Sequence, residues 1–235
     1  MGRRQLIRRP NIAQPNTLFP PYPVAHYDMV TPGAGVILQD RAGRHPANLV
    51  NGPLWTPRGI NLDGVNDYID TQQERLGSMG LFAGPAEKWT VVVAPRAPTT
   101  VTNKTMIARA RSAVDGVAAF YLRAHGDQAW TVCLRDAVTL VGPSGTNTGA
   151  WHVHVVRWNG VMGQYRRDTG AWQPLSVGIG TEDAGQRIVI GAAVNGASGW
   201  AAMDADYALL YDRDLTDYEA DWTYNSLTRI QTGRP

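Results

Sequence analysis

The chain has 235 residues, of which 43% are hydrophobic, and its formal net charge is only +2. This apolar content excludes a chain that is disordered throughout, and the small net charge gives no support to a nucleic-acid-binding protein. Cys133 is the single cysteine, so an intramolecular disulfide is excluded and the fold must be stabilised by packing. The length is that of one all-β domain.

Residues 1–25 differ in composition from the rest of the chain. They contain four arginines, several prolines and no acidic residue, and proline disfavours both helix and central strand. We therefore expect an extended arm at residues 1–25, followed by one domain at residues 26–235. An isolated arm of this kind cannot order itself, so we expect it to dock on another subunit or on a second copy of the protein. The residues expected to make these contacts are Arg3, Arg4, Leu6, Ile7, Arg8, Arg9, Leu18 and Phe19.

The sequence contains no apolar segment of the length that a transmembrane helix requires, which is about 18 residues. Its N-terminus also lacks the apolar run of a signal peptide. We expect a protein that is made in a cytoplasm and has no membrane partner.

From residue 26 onward, short apolar runs alternate with turn residues. This pattern predicts strands joined by tight turns, as in a sandwich or barrel. Asn159-Gly160, between two such runs, is a strong hairpin signal. The predicted strands are Val36–Gln39, Gly59–Leu62, Asp67–Asp70, Trp89–Ala94, Thr105–Arg109, Val117–Arg123, Ala129–Arg135, Val138–Val141, Trp151–Trp158, Val161–Arg167, Gln186–Ala192 and Tyr207–Tyr211.

One short helix is predicted near the C-terminus. Thr216 and Glu219 have the spacing of a capping box, in which each side chain binds the other residue's backbone N–H. Leu215 and Ala220 occupy the positions of a hydrophobic staple around this start. The helix is expected to run from Asp217 to Leu227.

Three stretches, taken in order, resemble laminin G-like members of the concanavalin A-like lectin/glucanase superfamily. They are Asn61–Ile69 (NLDGVNDYI) after a Gly-Pro turn, Trp151–Gly160 (WHVHVVRWNG), and Asp206–Glu219 (DYALLYDRDLTDYE). The resemblance covers residues 26–228. It implies a two-sheet antiparallel β-sandwich of the jelly-roll kind, with the extended N-terminal arm and one short C-terminal helix. It does not imply one function, because this fold serves lectins, hydrolases, adhesion modules and virus particles.

Catalytic and metal-binding patterns are not found. Glycosidases need two carboxylates about 5–10 Å apart, and the four glutamates (Glu74, Glu87, Glu182 and Glu219) do not form the Glu-x-Asp strand of hydrolases in this superfamily. His152 and His154 share one face of a strand but have no third metal ligand nearby. We expect no catalytic residues, no enzyme activity and no bound metal.

Calcium is the usual ligand of laminin G-like domains, so the resemblance makes calcium conceivable here. Asp63, Asn66, Asp67, Asp204 and Asp206 could supply oxygen ligands. No ligand set can be matched residue by residue, and turn capping is the favoured role of Asp63, Asn66 and Asp67.

A carbohydrate site would need exposed aromatic side chains beside polar ones. Trp55, Trp172 and Trp200 lie in turn-rich sequence and are the candidates, with core packing as the alternative for each.

The leading hypothesis is a non-enzymatic structural protein of a tailed-phage particle, either a capsid decoration or a tail-associated component. It would be anchored to other virion subunits, or to copies of itself, through residues 1–25. The alternatives are a lectin-like module that binds glycans for host attachment and a degenerate glycoside hydrolase. In the leading case the protein resides in the virion after synthesis in the host cytoplasm.

Overall fold

A computed structural model of the protein describes residues 18–31, 33, 35–43, 45–72, 88–96, 104–110, 118–124, 130–134, 137–141, 150–177, 187–193 and 199–232. These residues form two antiparallel sheets of eight strands each and one helix at the C-terminal end. The predicted two-sheet β-sandwich with a C-terminal helix is therefore confirmed.

The strands and the helix follow one another along the chain with short connections. They are β1 (Ala25–Asp28), β2 (Ile37–Leu38), β3 (Ala47–Val50), β4 (Leu54–Thr56), β5 (Gly59–Asp63), β6 (Tyr68–Asp70), β7 (Trp89–Arg96), β8 (Lys104–Ala110), β9 (Ala118–Ala124), β10 (Trp130–Leu134), β11 (Ala137–Val141), β12 (His154–Trp158), β13 (Gly163–Arg167), β14 (Gln173–Leu175), β15 (Ile188–Ile190), β16 (Ala202–Tyr211) and α1 (Asp217–Thr232).

The first sheet has the strand order β14-β13-β12-β7-β16-β5-β4, and β1 also pairs with β16. The second sheet has the order β11-β10-β9-β8-β15-β6-β3-β2. Strand β16 therefore pairs with β7 along one edge. Along its other edge, the first part of β16 pairs with β5 and the last part pairs with β1.

The central strand β7 shows where the two cores lie. Val91 and Val93 face the second sheet and belong to the core between the sheets, whereas Val92 and Ala94 face outward into a second core. This second core also contains Leu227 of α1, so the helix covers the outer face of the first sheet. Burial on both faces explains why β7 is a continuous apolar run instead of an alternating one.

The hairpin predicted at Asn159-Gly160 joins β12 and β13. The Asn159 side-chain oxygen accepts hydrogen bonds from the N–H groups of Val161 and Met162 at 2.9 and 2.8 Å. Gly160 has φ 93°, a left-handed conformation that suits glycine.

The structure also contains elements that the sequence pattern did not predict. Strands β1, β3, β4 and β14 are short, and β16 begins at Ala202 instead of Tyr207. The helix begins at Asp217, as expected, but ends at Thr232 instead of Leu227. Within the described part of the chain, no helix combines the length and the apolar character needed to cross a membrane.

Candidate functional site

A cleft opens at the C-terminal end of α1, on the outer face of the first sheet. It has a volume of about 350 Å³, and we call it the Trp151 pocket. Its walls come from five separate parts of the chain. The lining residues that matter chemically are Pro57, Arg58, Arg96, Trp151, Asp206 and Gln231.

Asp206 reaches this pocket because β16 is irregular. The strand register shifts between Ala205 and Tyr207, which is the mark of a β-bulge. Bulges redirect side chains and are frequent beside functional sites. The Asp206 carboxylate is almost completely buried and accepts a hydrogen bond from the Gln231 amide of α1.

Arg58 is brought beside the bulge by the tight turn between β4 and β5. Thr56 Oγ1 accepts the Arg58 backbone N–H at 3.1 Å and donates to the Gly59 carbonyl at 2.9 Å. Gly59 has φ 118°, and a Cβ at this position would lie 2.3 Å from the Ala205 carbonyl oxygen. Only glycine therefore allows the turn to pack this closely against β16.

Trp151 provides the aromatic wall of the pocket. It pairs with Arg96 in an isolated antiparallel bridge, and its half-buried ring packs against the second core. Among the residues that the structure describes, no acceptor binds the indole N–H of Trp151, although this atom is buried. Because this atom is buried, the indole ring, not its N–H, is the part of Trp151 that is available to line the pocket.

The pocket thus combines an aromatic ring, two kinds of donor and one carboxylate acceptor. The donors are the guanidinium groups of Arg58 and Arg96 and the Gln231 amide. A ligand that presents both an apolar face and several hydroxyl groups fits such a lining.

A second cleft, the Tyr207 pocket, lies on the same face of the sheet and has a volume of about 480 Å³. Its lining includes Phe19, Tyr22, His26, Arg41 and Tyr207, together with Asp28 and three prolines. The Phe19 ring packs edge-on against His26, with centroids 5.2 Å apart, and lies 5.8 Å from Tyr207. This pocket is mainly aromatic, so it suits an apolar or proline-rich segment better than a sugar.

The two described pockets do not have the lining of a glycosidase site. Each pocket is lined by one carboxylate, Asp28 in the Tyr207 pocket and Asp206 in the Trp151 pocket, whereas glycoside hydrolysis requires two. The Asp28 carboxylate also forms an ion pair with Arg41 at 2.7 Å. Glu74, Glu87 and Glu182 lie outside the described residues, so the absence of enzyme activity stays a prediction.

The histidine pair predicted on one strand face is held by hydrogen bonds within the sandwich. His152 Nδ1 lies 2.7 Å from Asp168 Oδ2, and His154 Nδ1 lies 2.9 Å from the Tyr165 hydroxyl. Burial, followed by the nearby His152, lowers the pKa of His154 to about 3. The described residues include no group of three or more potential metal ligands.

The acids considered for calcium take part in turn and strand structure. Asp63 Oδ1 accepts the backbone N–H groups of Val65, Asn66 and Asp67 at 2.8 to 3.3 Å. The Asp204 carboxylate accepts the Asn61 amide at 2.9 Å. Turn capping, the favoured role of the first group, agrees with these contacts.

The three tryptophans proposed for glycan binding occupy different surroundings. Trp55 packs against the core between the sheets, and its indole N–H donates to the Gly35 carbonyl at 3.3 Å. Its ring also lies close to Gly33, where an added Cβ would be 2.5 Å away. Trp172 lies under the Arg157 guanidinium, 3.7 Å from the ring centroid. Trp200 is half-buried ahead of β16. Glycan binding by these residues stays a prediction, and the packing alternative describes Trp55 and Trp172 better.

The arm residues are only partly described. Arg3, Arg4, Leu6, Ile7, Arg8 and Arg9 lie outside the described residues. Leu18 is exposed, but Phe19 is 7% exposed and belongs to the second core of its own sandwich. Phe19 therefore packs on its own sandwich and also lines the Tyr207 pocket, and both partner binding by the arm and the domain boundary at residue 25 stay predictions.

The sequence places Trp151 at the start of a predicted strand and in one of the stretches that resemble laminin G-like domains, but it does not predict a site there. Its partners in the pocket lie 55 or more residues away along the chain, and no local motif links them. The one local signal is an indole that directly follows the Gly-rich run at residues 142–150.

Comparisons with known proteins support the fold. No protein-family model and no curated protein matches the sequence. The structure is similar to Trypanosoma rangeli sialidase, solved alone and in complex with sialic acid, with a TM-score of 0.66, 16% identity, and coverage of 90% of this chain and 33% of that one. It is also similar to the botulinum neurotoxin serotype D binding domain, with a TM-score of 0.61 and 13% identity. That match covers 87% of this chain and 51% of the toxin domain.

This chain therefore spans about a third of the sialidase and about half of the toxin domain. At such low identity the similarity concerns the fold alone. It supports the two-sheet β-sandwich fold.

Proposed function

We propose that this protein is a non-catalytic carbohydrate-binding module and that its sugar site is the Trp151 pocket. The observation that carries the proposal is the lining of one cleft, which places the Trp151 side chain beside the charged groups of Arg58, Arg96 and Asp206. The ring offers a surface for the apolar face of a sugar, while the guanidinium and carboxylate groups can bind its hydroxyls.

The structural neighbours give this proposal indirect support. One is a sialidase solved with sialic acid, and another is named as the binding domain of a neurotoxin. The single carboxylate in each described pocket favours binding over hydrolysis.

The test is a glycan array with the full chain, followed by calorimetric titration of the glycans that bind. Trp151→Ala should weaken binding about tenfold or more, since it removes the aromatic ring that contacts the sugar. Tyr218→Ala, which truncates an exposed aromatic residue of α1, is the control and should bind as the wild type does. If Trp151→Ala binds normally while Trp200→Ala does not, the site is misplaced, and if no glycan binds, the proposal is wrong.

The same glycans also test the hydrolase alternative. A reducing-sugar assay should detect no turnover by the wild-type protein. Reproducible turnover that Glu182→Gln or Glu219→Gln abolishes would overturn the non-catalytic part of the proposal.

A second candidate function is a structural role in a phage particle, anchored by residues 1–25. The observation in its favour is that residues 20 and 24, in the last part of this segment, are hydrogen-bonded to the end of β16. The Tyr211 hydroxyl donates to the Pro20 carbonyl at 3.4 Å, and the Val24 N–H donates to the Leu210 carbonyl at 2.7 Å. An arm that starts from a fixed base can reach a neighbour without disturbing the domain.

This candidate is tested by deleting residues 1–17 and measuring self-association and co-sedimentation with particles. Loss of assembly by a variant that retains its β-rich circular dichroism spectrum supports the arm as anchor. Unchanged assembly contradicts it.

A further inference from the structure

We infer, on the basis of the proposed carbohydrate site, that its ligand is an acidic sugar whose carboxylate is bound by Arg58. The inference depends on the balance of charge in the Trp151 pocket. Its lining contains two cations, Arg58 and Arg96, and one anion, Asp206.

Asp206 and Arg96 both belong to the floor of the pocket. Asp206 is buried on β16, where the Gln231 amide binds it. Arg96 is half-buried and lies opposite Asp204 in the register of β7 with β16, so carboxylates are near it in the sheet. The C-terminal end of α1 adds partial negative charge at this floor. The floor therefore carries no excess of positive charge.

Arg58 is placed differently from both. It lies at the exposed tip of the turn between β4 and β5. Among the ion pairs of the described residues, none involves the Arg58 guanidinium, whereas Arg157 pairs with Asp217 at 2.9 Å and Arg166 pairs with Asp221 at 2.9 Å. One unneutralised guanidinium therefore remains at the mouth of a cleft whose aromatic wall is Trp151.

The guanidinium group is suited to one particular substituent of a sugar. It presents parallel N–H donors that match the two oxygens of a carboxylate, and this charge-assisted pair is stronger than a hydrogen bond to a hydroxyl. A hexuronic acid has the ring and hydroxyls of a hexose together with that carboxylate. Such a ligand could contact Trp151 with its ring and Arg58 with its charge.

The experiment uses sugar pairs that differ only by the carboxylate: methyl glucuronide with methyl glucoside, and methyl galacturonide with methyl galactoside. Each is titrated into the full chain by calorimetry. At least one uronide should bind about tenfold or more tightly than its neutral partner. Raising the salt concentration from about 0.01 to about 0.15 M should weaken binding of the uronide and leave that of the hexoside nearly unchanged.

Variants then separate this inference from the proposed function. Arg58→Gln should bring the uronide and hexoside affinities within about twofold of each other, and Arg58→Lys should retain part of the preference because it keeps the charge but not the paired donors. Arg229→Gln, an exposed arginine in the last turn of α1, is the matched control and should keep the full preference.

The possible failures are distinguishable. If hexosides bind as well as uronides and Trp151→Ala abolishes both, the carbohydrate site stands and the acidic ligand is wrong. If the uronide preference survives in Arg58→Gln, Arg58 is not the recognising group. If neither class of sugar binds, the proposed function itself fails.

Discussion

A single buried residue, His154, should make the free energy of unfolding depend on pH. It is fully buried between the sheets, where its ring lies 4.3 Å from the Trp130 ring and its Nδ1 is hydrogen-bonded to Tyr165. Burial lowers its pKa from 6.5 to about 3, so the folded protein holds the imidazole neutral. In the unfolded chain the same group takes up a proton below about pH 6.5.

The free energy of unfolding should therefore be highest above pH 6.5 and fall as the pH decreases towards 3. The expected loss between pH 6.5 and pH 4 is on the order of 3 kcal/mol from His154 alone. Burial also lowers the pKa of His26, which adds a loss of the same sign. Urea denaturation across this range should show a shallower pH dependence for His154→Phe than for the wild type.

His45→Gln is the control, because it removes a histidine outside the Trp130–His154 contact. It should keep the wild-type pH dependence. An unchanged slope in His154→Phe would mean that His154 is not the group that titrates.

At the scale of elements, a capping box in the first turn fixes where α1 begins. The Thr216 backbone N–H donates to Glu219 Oε2 at 2.9 Å, and the Glu219 N–H donates to Thr216 Oγ1 at 3.2 Å, as a capping box requires. Burial alone would raise the pKa of Glu219, but hydrogen bonds from Arg213 and Thr216 outweigh it and the pKa falls. Leu215 and Ala220, the predicted staple residues, are both fully buried.

Thr216→Ala removes one half of the capping box. The free energy of unfolding should decrease by about 0.5–2 kcal/mol, because the Glu219 N–H loses its acceptor. Glu219 keeps its ion pair with Arg213 at 2.8 Å, so the helix should still form. Thermal or chemical denaturation measures the change.

Asn225→Ala, at an exposed position of α1, should alter stability by no more than about 0.5 kcal/mol. Equal effects of the two substitutions would show that the cap contributes nothing specific.

On the scale of the whole molecule, the chain segment before β1 is tied to the outer face of its own sandwich. Phe19 fills a position between His26 and Tyr207, and the Pro20 and Pro21 carbonyls accept hydrogen bonds from Tyr211 and Arg213. The domain therefore uses residues that composition assigned to the arm.

Phe19→Ala should destabilise the protein by about 3–5 kcal/mol, the range for a buried phenylalanine, because it leaves a cavity beside Tyr207. Leu18→Ala truncates the neighbouring residue, whose side chain is exposed, and should cost no more than about 0.5 kcal/mol. Guanidinium denaturation of both variants measures the difference. Similar stabilities would show that Phe19 is not part of the core.

The sequence by itself determined the features that depend on neighbouring residues. The Asn159-Gly160 hairpin and the start of α1 at Thr216 and Glu219 each rest on contacts within a few positions, so a local motif was enough to predict them. The alternation of short apolar runs and turns likewise predicted a β-sandwich, because strand burial follows that period.

Tertiary structure alone decided the candidate site and the ends of several elements. Asp206 reaches the Trp151 pocket through a bulge, and Arg58 reaches it because Gly59 permits close packing against β16. The helix continues past Leu227 because Ile230 packs on the second core and Gln231 binds Asp206. Each of these contacts joins residues distant in sequence, so its energy depends on strand pairing and burial that no local pattern encodes.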